Sequence, residues 1–195
     1  MESTEQVQDP DAGEARRAPE RPALVLVVCA ANRGRSPAAA AILRRLLRER
    51  GLEGSLTVES AGLCTYELDR TGLPADPAVA AVCEHHGLDL SDHVARPLDR
   101  GLVERAAVVV TMEGWQKTAL ATAYRDLRDR IVTLAEVGGD GTGRDIADTS
   151  GAPDEEIERF LADAERCFAE GLRAGVLHDL LAGAGARTRA EWVQE

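Results

Sequence analysis

Short apolar runs alternate along this chain with longer stretches of helical periodicity. Residues 24–28, Leu-Val-Leu-Val-Val, read as a buried strand, and residues 37–50 as a helix with Ala41, Leu43, Leu46 and Leu47 facing inward. Residues 56–59 read as a short strand, and 77–86 as a helix stopped by Gly87. The near-continuous apolar run 106–112 has the pattern of a central parallel strand. Residues 116–124 read as helix and 131–134 as strand. Residues 153–181 read as one long helix, opened by Pro153 and three acids suited to an N-terminus. The succession βαβαβαβα predicts an α/β fold in three layers: a four-stranded, twisted parallel sheet with helices on both faces. Such sheets bind ligands outside the carboxyl ends of their strands. Cys29 stands at such an end, as do the segments after Glu59 and Leu134, so three loops are expected to converge on one mouth.

Residues 1–21 are polar, without apolar period, and read as a disordered N-terminal tail. Residues 22–183 form the expected single domain, and residues 184–195 a loose C-terminal tail in which Trp192 is the one residue suited to docking. No internal repeat is visible. With two Phe, two Trp and two Tyr in 195 residues, the core must be aliphatic. The net charge of −11 argues against non-specific binding of nucleic acid or an anionic membrane, though not against a local basic pocket. Arg33, Arg35, Arg44 and Arg45 cluster in sequence, and Lys117 is the single lysine. Cys29, Cys64, Cys83 and Cys167 are far apart and form no disulfide framework. Without a secretory pattern or a span-length apolar run, the expected location is the cytoplasm, and the expected state a monomer or weak homodimer.

The chemistry concentrates in residues 25–37, where Arg35 follows Cys29 by six positions in a loop between strand and helix. A helix N-terminus aims free N–H groups and a positive dipole end into such a loop. Backbone donors, a guanidinium and a thiol in one concavity are what cysteine-based phosphate ester hydrolysis needs. Cys29 would be the nucleophile, its thiolate favoured by the helix end and the nearby arginine. Arg35 offers a planar fork for two phosphoryl oxygens. Ala30, Ala31, Arg33 and Gly34 would supply backbone N–H groups, with small side chains keeping the loop tight. Asn32 tolerates a left-handed backbone and would brace the loop through its amide, and Ser36 would donate to the thiolate. The alternative is a buried structural cysteine followed by an exposed basic helix start.

This loop resembles that of the low-molecular-weight protein tyrosine phosphatases, whose signature is close to V-C-x-G-N-x-C-R-S-P. The resemblance extends over about residues 23–181. Ser60-Ala61-Gly62 matches the family's SAG. Gly87-Leu88-Asp89 with His93-Val94-Ala95-Arg96-Pro97-Leu98 resembles its segment after the second helix. Val109-Val110-Thr111-Met112-Glu113 stands where the family has a strand ending in Met-Asp. Asp145-Ile146-Ala147-Asp148, followed by Gly151 and Pro153-Asp154-Glu155-Glu156, resembles its general-acid loop. The resemblance implies that Asp148 protonates the leaving oxygen and then activates water against a cysteinyl-phosphate, with no metal and no cofactor. Asp145 is the rival acid, and a helix cap the structural alternative for Asp148.

Four departures bear on specificity. Thr149 and Ser150 stand where the family has Pro and an aromatic wall of the phosphotyrosine slot. The family's loop Gly is Ala31, and its second loop cysteine is Gly34, so the disulfide of some relatives cannot form. Arg33 replaces the usual Ile or Thr, which favours an extra anionic group. Tyr66, in the loop after Ser60-Ala61-Gly62, is the candidate replacement for the missing aromatic wall; Trp115 is a weaker one. The run 138–143 lacks the spacing of a dinucleotide loop, and Cys83-Glu84-His85-His86 lacks a second pair of metal ligands. The expected activity is hydrolysis of phosphomonoesters through a phosphocysteine, with protein phosphotyrosine as substrate. The alternatives are phosphoarginine, a small phosphorylated metabolite, arsenate reduction relayed by Cys64 or Cys83, and a non-catalytic phosphate-binding module.

Overall fold

The computed structural model of this chain describes residues 22–54 and 56–183. The two expected tails, with Trp192, lie outside the described residues. Four parallel strands, β1 (Ala23–Cys29), β2 (Leu56–Gly62), β3 (Ala106–Thr111) and β4 (Ile131–Thr133), form one sheet in the order β2-β1-β3-β4. Every residue of β3 is buried, and so is all of β1 after its first, as expected of strands covered on both faces.

The period-two alternation of β1 divides the core. Val25, Val27 and Cys29 pack with helix α1 (Arg35–Glu49), α2 (Pro77–His85) and α6 (Asp154–Arg173) on one face. Leu24, Leu26 and Val28 pack on the other with Leu102 and Val103 of α3 (Arg100–Arg105) and Leu120 of α4 (Gly114–Ala123). The predicted three-layer, four-stranded parallel architecture is therefore the one observed. Among the described residues, no helix is long and apolar enough to cross a membrane.

Several boundaries differ from the pattern, each for a local reason. The helix expected over 153–181 is two: α6 ends at Arg173, and α7 (Val176–Gly183) starts beyond Gly175, whose φ of 77° no helix accommodates. Pro153 stands outside α6 as its cap, while Asp154, Glu155 and Glu156 fill the first turn. The strand expected to reach Leu134 stops at Thr133, because Thr133 and Glu136 form a reciprocal capping box that starts α5 (Leu134–Val137). Asp99 caps α3 by accepting the Leu102 N–H at 2.8 Å, an element absent from the periodic pattern. A 3-10 turn, Arg125–Arg130, leads into β4. β2 runs three residues further than expected, so Ser60, Ala61 and Gly62 pair with Val27, Val28 and Cys29 and flank the loop that follows β1.

Candidate active site

The loop from Cys29 to α1 is held from behind by Asn32. Its φ is 55° and its side chain is fully buried. The Asn32 amide donates to Ser36 Oγ at 2.9 Å and to Ser60 Oγ at 3.0 Å, and its Oδ1 accepts the Arg96 N–H at 3.0 Å. His93 Nε2 lies 2.6 Å from the Asn32 carbonyl oxygen. Burial pushes the pKa of His93 below the ordinary histidine value, consistent with a neutral ring donating that bond. Every polar group of Asn32 thus has a partner, which holds the left-handed turn in place.

That turn aims donors at sulfur. The Asn32 N–H points to Cys29 Sγ at 3.3 Å, and Ser36 Oγ lies 3.0 Å from the same atom. Since Ser36 Oγ already accepts from Asn32, its single proton goes to sulfur or to the more distant Ala61 carbonyl at 3.5 Å. Ala31 is not among the described non-glycine residues with positive φ, so alanine is accommodated there without strain.

The neighbouring strand approaches as closely as a backbone can. A Cβ on Gly62 would lie 2.8 Å from the Ala30 carbonyl oxygen and 1.8 Å from Thr65 Oγ1. Gly62→Ala is therefore expected to push the loop after β1 out of place, costing about 1–3 kcal/mol of stability. Thermal unfolding alongside turnover checks this; an unchanged melting temperature with unchanged activity would refute it.

Arg35 is 5% exposed and meets two carboxylates: Asp148 Oδ1 at 3.1 Å and Glu113 Oε2 at 3.3 Å. It also donates to the Ile146 carbonyl at 3.0 Å. Glu113 is itself held by Trp115 Nε1 at 3.1 Å and Gln116 Nε2 at 2.6 Å. Sequence reasoning missed Glu113 as the residue that orients the guanidinium; its place directly after the third strand was the available signal. Asp148 is exposed and accepts from the Thr149 and Ser150 N–H groups. The rival Asp145 faces elsewhere and accepts the Gly114 N–H at 2.7 Å, at the start of α4.

A cavity of about 220 Å³ opens over this group. Cys29, Ala30, Ala31, Arg33, Gly34 and Arg35 line it from one side, and Asp148, Thr149 and Ser150 from another. Asn32 and Ser36 sit buried beneath it. Tyr66 is not in the wall: its side chain is 80% exposed, and the same loop turns Leu68 and Arg70 into the cavity instead. Two of the departures prove to be coupled. A Cβ at Gly34 would come within 2.7 Å of Thr149 Oγ1, so Thr149 takes up the space that Gly34 leaves.

Other expected features lie apart. Cys83 is fully buried while His85, the last residue of α2, and His86 beyond it are exposed, and among the described residues no three His, Cys, Asp or Glu side chains gather to hold a metal ion. The glycine-rich run 138–143 is tied down by Asp140, which accepts from Thr142 and Arg144.

Comparison with known proteins gives this geometry its context. The family model for low molecular weight phosphotyrosine protein phosphatase matches residues 24–173. The chain belongs to that family. It is 36% identical over 113 residues to the probable low molecular weight protein-tyrosine-phosphatase EpsP of Ralstonia nicotianae, covering 58% of this chain and 71% of that protein. It is 32% identical over 112 residues to the protein-arginine-phosphatase of Bacillus subtilis, covering 57% and 70%. The solved structure of the family's phosphatase from T. tengcongensis superposes with a TM-score of 0.70 at 27% identity, covering 78% of this chain and 99% of that one. The loop after β1 differs from the family signature at Ala31 and Gly34.

Proposed function

We propose that this phosphatase hydrolyses phosphotyrosine in proteins through a phosphocysteine on Cys29. Phosphatase activity itself follows from family membership. The observation that carries the mechanism is the shared cavity of Cys29, Arg35 and Asp148, with the guanidinium in contact with the acid.

The steps follow from those positions. The phosphoryl group enters with its oxygens on the N–H groups of residues 30–35 and the fork of Arg35. The Cys29 thiolate, stabilised by Ser36 and the Asn32 N–H, attacks phosphorus in line, so the S–P bond forms as the bond to the phenolic oxygen breaks. Asp148 gives its proton to that oxygen, because an ester oxygen leaves poorly as an anion. Asp148 then takes a proton from water, whose oxygen attacks phosphorus. The S–P bond breaks, releasing phosphate and the thiolate.

The protein-arginine-phosphatase relative and the lack of an aromatic at Thr149 and Ser150 raise phosphoarginine as the second substrate. The cavity argues the other way. It carries Arg33 and Arg70 besides Arg35, which disfavours a guanidinium leaving group. A reductase relay has little support, since the Cys83 thiol is buried and pushed up to about 12, and burial raises that of Cys64 as well. The four free cysteines support a reducing, cytoplasmic location. We also propose one domain over residues 22–183, acting as a monomer or weak homodimer.

The test is turnover by the full chain of two peptides that differ only in carrying phosphotyrosine or phosphoarginine, with p-nitrophenyl phosphate alongside. The phosphotyrosine peptide is expected to have the higher kcat/KM. A preference for phosphoarginine would reassign the substrate, and no phosphate release from any of the three would reject the mechanism.

A further inference from the structure

We propose that Arg33 and Arg70 form a second anion subsite at the cavity mouth, which selects phosphotyrosine peptides carrying a carboxylate beside the phosphorylated residue. This deepens the phosphotyrosine assignment and rests on it.

The charge accounting inside the cavity is uneven. Two of its lining carboxylates are engaged. Asp148 contacts Arg35 and accepts two backbone N–H groups. Asp76 caps α2, accepting the N–H groups of Ala78 at 3.1 Å and Val79 at 3.5 Å. The two remaining lining arginines have no acidic partner among the described residues. Arg33 donates only its Nε, to the Pro74 carbonyl at 2.8 Å, and this holds the guanidinium along the rim. The cavity lining carries three guanidiniums, Arg33, Arg35 and Arg70, against two carboxylates, Asp76 and Asp148, an excess of positive charge within a chain of net charge −11. That net charge repels polyanions in general, so the contrast selects a ligand whose extra negative charge lies close to the reacting phosphate.

The rim that carries Arg70 is already built. Leu63 and Cys64 donate to the carbonyls of Cys29 and Ala30 at 2.9 Å, which joins the start of its loop to the loop after β1. Arg70 donates its N–H to the Thr65 carbonyl at 2.9 Å, and Asp69 takes a φ of 51° to make that turn. Gly72 and Leu73 bond to Ala95 at 2.8 Å, and Asp76 donates to the Arg33 carbonyl at 2.8 Å. The backbone that carries Arg70 is therefore already fixed at the cavity rim, and only the side chain has to order on a ligand. Beside it, Tyr66 and Leu68 are 80% and 46% exposed, apolar surface on which the backbone of a bound peptide can rest.

The experiment uses the full chain and two phosphotyrosine peptides, one with Glu on both sides of the phosphotyrosine and one with Ala there. Wild type is expected to favour the acidic peptide by about fivefold in kcat/KM, with the difference in KM, and to lose that preference as salt is raised. Arg70→Ala should bring the ratio of the two peptides near one, and Arg70→Glu should invert it. Because Arg70 is an exposed loop residue, both variants are expected to fold, and circular dichroism checks this. A wild-type ratio of one, or a ratio unmoved by Arg70→Glu, overturns the subsite and leaves the phosphotyrosine assignment standing. Turnover of p-nitrophenyl phosphate with neither peptide hydrolysed overturns both.

Discussion

Cys29→Ser should abolish turnover while leaving the fold intact, a loss of roughly 10⁴-fold or more in kcat. A serine hydroxyl at this place is not ionised near neutral pH, and the surroundings cannot ionise it. The Asn32 N–H at 3.3 Å and Ser36 Oγ at 3.0 Å are donors that stabilise an anion already formed at sulfur; neither is a base that takes a proton from oxygen. Cys29 is 3% exposed, and the replacement removes little volume, so stability is expected to change by about 1 kcal/mol or less. Inorganic phosphate should still bind, because Arg35 and the loop N–H groups are untouched; isothermal titration measures this. Retention of more than a few per cent of wild-type turnover would mean that sulfur is not the nucleophile.

Asp148→Asn should lower kcat on a phosphotyrosine peptide by roughly 10² to 10⁴-fold. The smaller loss is expected on p-nitrophenyl phosphate, whose leaving group needs less help from an acid. The arrangement supports Asp148 in three ways: it lines the cavity, it touches Arg35 at 3.1 Å, and its carboxylate is oriented by the Thr149 N–H at 2.9 Å. Asp145 serves as the internal control. Its carboxylate is bound to the Gly114 N–H, so Asp145→Asn should loosen the start of α4 and change kcat far less. The reverse order of effects would transfer the acid role to Asp145. With both steps of the reaction slowed, rapid quench of the Asp148→Asn variant tests for a phosphorylated Cys29.

Much of this site was legible along the chain because its core is local. The strand ending at Cys29, the short loop after it and the helix that follows come from period and spacing within one segment, although the helix begins at Arg35 and not at Pro37 as expected. Thr133 and Glu136 show a local signal that can be missed: their capping-box spacing is in the sequence, yet the apolar run beside it suggested a longer strand. The break of the 153–181 helix is another: of the two glycines in that stretch, Gly171 stays inside α6 and Gly175, with positive φ, ends the helical run.

What stayed hidden depends on distant chain segments. Tyr66 was the aromatic expected in the wall, but the path of its loop is set by bonds to Ala95, Arg96 and Cys29, none of which sequence spacing reveals. Those bonds turn Tyr66 outward and Arg70 inward. Glu113 was visible only as a variation on a family motif, and its contact with Arg35 spans 78 positions of the chain. Gly34 and Thr149 looked like two separate losses and are one exchange of volume. By itself, then, the sequence determined a thiol at a strand end and a guanidinium in the loop between that strand and a helix, while the acid in a late loop came from the family resemblance. Only the tertiary structure decided which side chains close the cavity, because that depends on where three loops cross. Loop paths are fixed by long-range hydrogen bonds and by the space that neighbouring side chains leave, and not by local periodicity.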